Sequence, residues 1–258
     1  MRNLAGFAGR TALVTGAASG IGAAVALALD AAGIERLLLV DQDADGMERL
    51  TLSCTVERWA GDVADEALWN SIEAKLGTID HAVLNAGVAD GAPIVGLSHA
   101  EWRRILSANL DGMFLSLRSA LRAMTADGQA RGRSAVLTSS VAGVKPVAGT
   151  AAYGASKAAV AHLARIAAAE HAKDGIRINA VAPGRVDTPI WTRNAHFAQM
   201  VEELGSRQAA LDVLAAETTP LGRFATAEEM AGQILFLLSD AAWNVTGTVL
   251  VSDGGYSL

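Results

Sequence analysis

Seven short apolar runs mark this chain, and most are separated by roughly ten or more residues of helical character. The runs are TALVT (11–15), RLLLV (36–40), TVERWA (55–60), HAVLN (81–85), SAVLTS (134–139), RINAVA (177–182) and TVLVS (248–252). Strands spaced in this way predict βαβ crossovers and a parallel sheet with helices on both faces. In 81–85 and 134–139 the apolar residues run on rather than alternate, which predicts burial on both faces. A chain of 258 residues is long for one domain and short for two. A single α/β domain over 1–258 is expected.

Local signals refine the outline. Ser98 with Glu101, and Thr226 with Glu229, have the spacing of capping boxes. A helix is predicted over 153–173, with Val160, Leu163, Ala164 and Ala167 on one apolar face. The stretch 184–222 breaks the regularity, and a long connection at this place is expected to act as a substrate lid. It holds Trp191, Phe197, Met200, Leu204, Leu211 and Leu214 among charges, which suits an amphipathic helix facing either the substrate or the body of the protein. Trp191, two residues past Pro189, is the candidate substrate wall. Arg185, Arg193, His196 and Arg207 are candidates to meet a carboxylate or polyol.

Composition excludes several classes. Apolar residues make up 51% of the chain, enough to bury a large core, so disorder is excluded. Aromatics are only 5%, which leaves Ala, Leu, Val and Gly to fill that core. With 21 basic and 27 acidic residues the net charge is −6, and no basic run exists, so neither nucleic acid nor an anionic membrane is an expected partner. Cys54 is the sole cysteine, which removes a disulfide framework and a cysteine metal site. His81, His99, His162, His171 and His196 lack metal-ligand spacing, so no metal is expected. The opening MRNLAGFAGRTALVTG lacks the apolar run of a signal peptide. A soluble protein of a reducing compartment, most simply the cytoplasm, is expected. Neither GxSxG nor GxxxxGK[ST] occurs, which disfavours an α/β-hydrolase and a P-loop protein.

The first run leads into GAASGIG, with Gly16, Gly20 and Gly22 spaced GxxxGxG. Strand, glycine turn and helix in succession form the setting in which a dinucleotide pyrophosphate sits on a helix N-terminus. Ser19 and Ile21 offer backbone N–H groups, and Ser19 adds a hydroxyl. The plain alternative is a turn that only packs a helix on a sheet. The second run ends at Asp41, about 20 residues on, where a carboxylate accepts from a ribose 2′-OH and repels a 2′-phosphate. NAD is therefore expected over NADP, unless Asp41 only caps the next helix.

TGAASGIG (15–22), NAG (85–87), SS (139–140), YGASK (153–157), PG (183–184) and DGG (253–255) occur in this order. The set resembles the short-chain dehydrogenase/reductase family in its short, single-domain form, from about residue 9 to the C-terminus. The resemblance implies a Rossmann-type, doubly wound, seven-stranded parallel sheet. It implies Tyr153 as acid/base, Lys157 as its partner, Ser140 as the hydroxyl on the substrate oxygen, and Asn109 in SANLDG as a relay. Asp62 and Val63 match the pair bordering the adenine, and Asn85 and Gly87 match the motif lining the cofactor cleft. Pro183, Gly184, Val186 and Thr188 match the segment holding the nicotinamide carboxamide. It also implies a homotetramer, with helices near 100–124 and 153–173 at the interface.

The chemistry can be argued from the residues themselves. A phenol pKa of about 10 is too high for a base near neutrality. Lys157, four residues after Tyr153, shares its helical face. An ammonium near 4 Å contributes about 4 kcal/mol at an effective dielectric of about 20. That is enough to lower the phenol pKa by roughly 3, and an oxidised nicotinamide adds a second positive charge. Ser140 then donates to the substrate oxygen. The tyrosines number two, and Lys75, Lys145, Lys157 and Lys173 are the only lysines, so chance placement in this frame is disfavoured. The leading expectation is an NAD-dependent oxidoreductase interconverting a secondary alcohol and a ketone. A 3-oxoacyl-carrier-protein reductase and a non-catalytic NAD-binding regulator remain as alternatives.

Overall fold

The computed structural model describes residues 6–193 and 195–258. Seven strands form one parallel sheet in the order β3-β2-β1-β4-β5-β6-β7. They are β1 (Thr11–Thr15), β2 (Arg36–Asp41), β3 (Thr55–Ala60), β4 (His81–Leu84), β5 (Ser134–Thr138), β6 (Arg177–Pro183) and β7 (Val249–Ser252). Every apolar run of the sequence is one of these strands, with ends shifted by at most a residue. The chain winds outward from β1 to β2 and β3, then returns to place β4 on the other side of β1. That reversal opens a crevice at the carboxyl ends of the strands, where open α/β sheets take their ligands.

The period-2 geometry of the strands explains their continuous apolarity. Leu13, Leu38, Val40, Leu84, Leu137 and Ile178 pack on one face, beneath α3 (Glu66–Leu76), α5 (Gly112–Thr125) and α6 (Ala151–His171). Val14, Leu37, Leu39, Val83, Val136 and Val181 pack on the other, beneath α1 (Gly20–Ala31) and α9 (Ala227–Leu238). Each strand thus feeds both layers. Trp69 anchors the first layer, fully buried, its indole N–H donating to the Val63 carbonyl at 2.8 Å.

The remaining helices are α2 (Ala44–Glu48), α4 (His99–Leu106), α7 (Ala195–Leu204) and α8 (Arg207–Thr218). Thr226 and Glu229 form the full reciprocal capping box at the start of α9. Ser98 caps α4 in one direction only, because the Glu101 carboxylate turns to Arg104. Between α4 and α5 the chain takes one π-helical turn at Ser107–Asp111, a distortion that concentrates at functional sites. Among the described residues no helix is long and apolar enough to cross a membrane.

Candidate active site

The crevice holds a cleft of about 610 Å³ along the carboxyl edge of the sheet. The carboxyl ends of six strands supply its wall: Gly16 after β1, Asp41 at the end of β2, Asp62 after β3, Asn85 after β4, Ser140 after β5 and Gly184 after β6. Ser19, Gly20, Ile21 and Val63 continue the wall at the glycine turn. Gly87, Pro183, Val186, Thr188 and Trp191 continue it toward Tyr153 and Lys157.

The glycine turn is shaped for close approach. Gly20 opens α1 at φ 55°, a left-handed conformation that disfavours a side chain. A Cβ on Gly22 would lie 1.9 Å from the Gly16 carbonyl oxygen, so Gly22 packs the helix against the turn and does not itself face the cleft. Ser19 is the N-cap of α1, yet its side chain makes no capping hydrogen bond. The Asp41 carboxylate accepts from the Ala18 N–H at 2.9 Å and from the Asp43 N–H at 3.0 Å. It thereby ties the end of β2 to the turn while still lining the cleft. Free helix N–H groups, a hydroxyl and a carboxylate in this order fit a dinucleotide phosphate and its ribose.

Farther along, Ser140, Tyr153 and Lys157 share one wall. Lys157 is buried and donates from Nζ to the Thr138 carbonyl oxygen at 2.9 Å. Burial pushes its pKa down to about 8. The ammonium stands 5.8 Å from the centre of the Tyr153 ring. The acidified phenol expected from the sequence is not what this geometry produces. Desolvation by burial holds the Tyr153 hydroxyl above its ordinary pKa, and a hydrogen bond with Ser140 offsets part of that rise. The reason is geometric: the lysine aims at the Thr138 carbonyl, and the half-buried phenol is packed into the cleft wall.

Two neighbouring serines have separate fates. Ser139 is buried and donates from Oγ to the Lys157 carbonyl at 2.7 Å, while Ser140 Oγ accepts from the Ala142 N–H at 3.2 Å. Asn109 is fully buried in the π-helical turn and is not on the cleft wall. Its Oδ1 accepts from the Val88 N–H at 2.8 Å, and its Nδ2 donates to the Val88 carbonyl at 2.9 Å. Its side chain therefore holds the loop after β4.

In the stretch 184–222, Phe197, Met200, Leu211 and Leu214 form a small core with Phe224. Trp191 packs between Phe197 and Phe224 and donates from Nε1 to the Val186 carbonyl at 2.8 Å, while also lining the cleft. Arg207 pairs with Asp187, whereas Arg185 lines the cleft. The side chains of Arg193 and His196 lie outside the described residues. Tyr256 is a cleft residue that the sequence reading missed; the DGG turn before it, which brings the C-terminus back to β6, was its only signal.

A cleft at the switch point, a glycine turn on a helix N-terminus and a Ser-Tyr-Lys cluster define a dinucleotide-dependent oxidoreductase fold. A family profile described as enoyl-(acyl carrier protein) reductase matches residues 16–257. The chain is 40% identical to the cis-4-hydroxycyclohexanecarboxylate dehydrogenase of Sinomonas cyclohexanicum, over 97% of this chain and 98% of that one. It is 38% identical to the D-threitol dehydrogenase of Mycolicibacterium smegmatis, over 97% and 94%. The structure of L-sorbose reductase from Gluconobacter frateurii, complexed with NADPH and L-sorbose, superposes with a TM-score of 0.88 at 27% identity, covering 98% of both chains. The chain belongs to the short-chain dehydrogenase/reductase family.

Proposed function

We propose that this protein is an NAD-dependent dehydrogenase interconverting a secondary alcohol and a ketone. One observation carries the reading: Ser140, Tyr153 and Lys157 meet on one wall of the cleft that Asp41 and the glycine turn begin. When bound, the nicotinamide supplies the hydride-accepting carbon and, in its oxidised form, a positive charge. Tyr153, held as a phenol by burial, gives its proton to the oxygen during ketone reduction; in oxidation it takes the alcohol proton as the phenolate, a form favoured by Lys157 and by the positive charge of an oxidised nicotinamide beside it. Ser140 donates to the same oxygen and stabilises charge developing there. Lys157, anchored on Thr138, supplies the fixed positive charge beneath the phenol. Asn109 acts at one remove, holding the loop at Val88 that faces Lys157.

Gly16, Ser19, Gly20, Ile21 and Gly22 cradle the pyrophosphate, with Gly22 allowing the helix its close approach. Asp62 and Val63 border the adenine, and Asn85 and Gly87 line the middle of the cleft. Pro183, Gly184, Val186 and Thr188 hold the carboxamide, and Trp191 walls the substrate under the lid of 184–222. Asp41 supports NAD over NADP, because a carboxylate repels a 2′-phosphate. The same argument disfavours a 3-oxoacyl-carrier-protein reductase. We further propose a homotetramer built through α5 and α6, on which Phe114 and Ile166 are exposed. The unpaired Cys54 suits a cytoplasmic enzyme.

The test is Tyr153→Phe, assayed at 340 nm with secondary alcohols and NAD. Turnover should fall by about 100-fold or more while NAD binding is retained. Retained turnover would reject the role of Tyr153. NAD binding without turnover by the wild type would instead fit a regulator.

A further inference from the structure

Two basic side chains line the cleft among the described residues, Lys157 and Arg185. Lys157 is taken up by the Thr138 carbonyl and Tyr153. Arg185 follows β6, four strand spacings from β2, which puts it roughly 19 Å from Asp41 along the sheet. It therefore lies at the end of the cleft away from the proposed ribose contact.

Its surroundings are unusual for a cation. Its guanidinium carbon stands over three ring faces: Trp191 at 5.3 Å, Phe224 at 5.8 Å and Tyr256 at 5.3 Å. No ion pair to a carboxylate forms at Arg185 among the described residues, and its Nε is buried without a hydrogen-bond partner. The nearby acids are committed elsewhere. Asp253, which packs on Gly184, accepts from the Gly255 and Ser257 N–H groups. Asp187 pairs with Arg207, and Asp90, on the cleft wall, pairs with Arg104 at 2.5 Å. A second cation stands behind the cage: Lys145 Nζ lies 4.7 Å over the Tyr256 ring and donates to the Tyr256 carbonyl at 2.6 Å. Burial pulls the Arg185 pKa down, with Tyr256 acting in the opposite direction.

We propose that Arg185 is an anion subsite, selecting secondary alcohols that also carry a carboxylate. The inference rests on the alcohol dehydrogenase reading above and names its substrate class. Ring faces stabilise a cation only modestly. One donor of the guanidinium is engaged by the Tyr256 side chain, and the ring faces leave the remaining planar N–H donors for a carboxylate, which they match in geometry. An oxyanion there completes a charge that the fold leaves without a counter-ion. The reacting hydroxyl is then held at Ser140 and Tyr153 by its distance from the carboxylate.

The experiment compares the 3- and 4-hydroxy acids of cyclohexane with methylcyclohexanols of matching size, using the full chain and NAD. The wild type should prefer the acids, and Arg185→Met should lower kcat/KM for them by about 10- to 100-fold. The neutral alcohols should change by less than about threefold, and Arg185→Lys should recover part of the loss for the acids. A purely structural role would depress both classes alike and would overturn the inference, as would a wild type indifferent to the carboxylate. Should the wild type oxidise neither class, the dehydrogenase reading fails. Calorimetry with cyclohexanecarboxylate then decides the subsite: binding weakened about tenfold or more by Arg185→Met supports it, and unchanged or absent binding refutes it.

Discussion

Lys157 donates its ammonium proton to the Thr138 carbonyl at 2.9 Å, so the last residue of β5 sets where the charge beside Tyr153 sits. Helix and strand thus meet on one hydrogen bond at the centre of the cleft. The charge is costly to keep there, since burial lowers the Lys157 pKa from 10.5 to about 8. Lys157→Met should therefore move stability and activity in opposite directions. The fold should gain on the order of 2 kcal/mol, after allowance for the lost bond to Thr138. Turnover should fall by about 100-fold or more. Thermal melts and initial rates on the same preparation check both signs.

Asp41 should control cofactor choice. Asp41→Asn keeps an oxygen for one of the Ala18 and Asp43 N–H groups, which bond to different oxygens of the carboxylate, and removes the negative charge. Like charges near 4 Å repel by about 4 kcal/mol at an effective dielectric of about 20, and screening reduces this. The ratio of kcat/KM with NADP to that with NAD should rise by about tenfold or more. An unchanged ratio would remove Asp41 from the ribose site.

Gly22→Ala tests the close approach at the turn. The new methyl would lie 1.9 Å from the Gly16 carbonyl oxygen, a backbone atom that cannot swing aside. Forced overpacking costs about 1–3 kcal/mol, occasionally more. The variant should melt lower and bind NAD more weakly, whereas Gly33→Ala, in open space but at φ 85°, should cost stability without touching the cleft. Calorimetric melts and NAD titrations separate the two.

His81 should make the fold acid-sensitive. It is fully buried on β4, bonded through Nδ1 to Ser134 Oγ at 2.9 Å, and burial with Arg10 and Arg177 nearby pushes its pKa down to about 3. Below the ordinary pKa of about 6.5 the unfolded chain takes a proton at this position that the native state refuses. Stability is therefore full above that value and falls as pH drops toward 3. Between pH 7 and 5 the loss should be about 2 kcal/mol. Urea unfolding at both pH values should show it in the wild type, and His81→Gln should flatten the difference.

The strands, the glycine turn and the order of motifs were readable along the chain because each is local. An apolar run of five residues, such as β1, forms a strand in any sheet buried on both faces, and Gly20 starts a helix from a conformation open mainly to glycine. The carboxyl-end cleft depends on the strand order, because it opens where the winding reverses between β1 and β4, and spacing along the chain does not specify that order. Which chemistry each residue faces was not local. Ser139 and Ser140 are equivalent in sequence, and only the packing of α6 against β5 occupies the first with the Lys157 carbonyl.

Asn109 sits in a π-helical turn and bonds to both backbone groups of Val88, a pairing between segments 21 residues apart. Arg185 acquired its three rings from residues 6, 39 and 71 positions along the chain, Trp191, Phe224 and Tyr256. The Tyr153 pKa moved up rather than down because desolvation depends on everything packed around a group, and spacing along one helix counts only its nearest charge. Sequence by itself thus determined the strands and the line of candidate residues, through contacts within a turn or a strand. The tertiary structure alone decided burial, charge state and aim, because those are set by segments far apart in the chain.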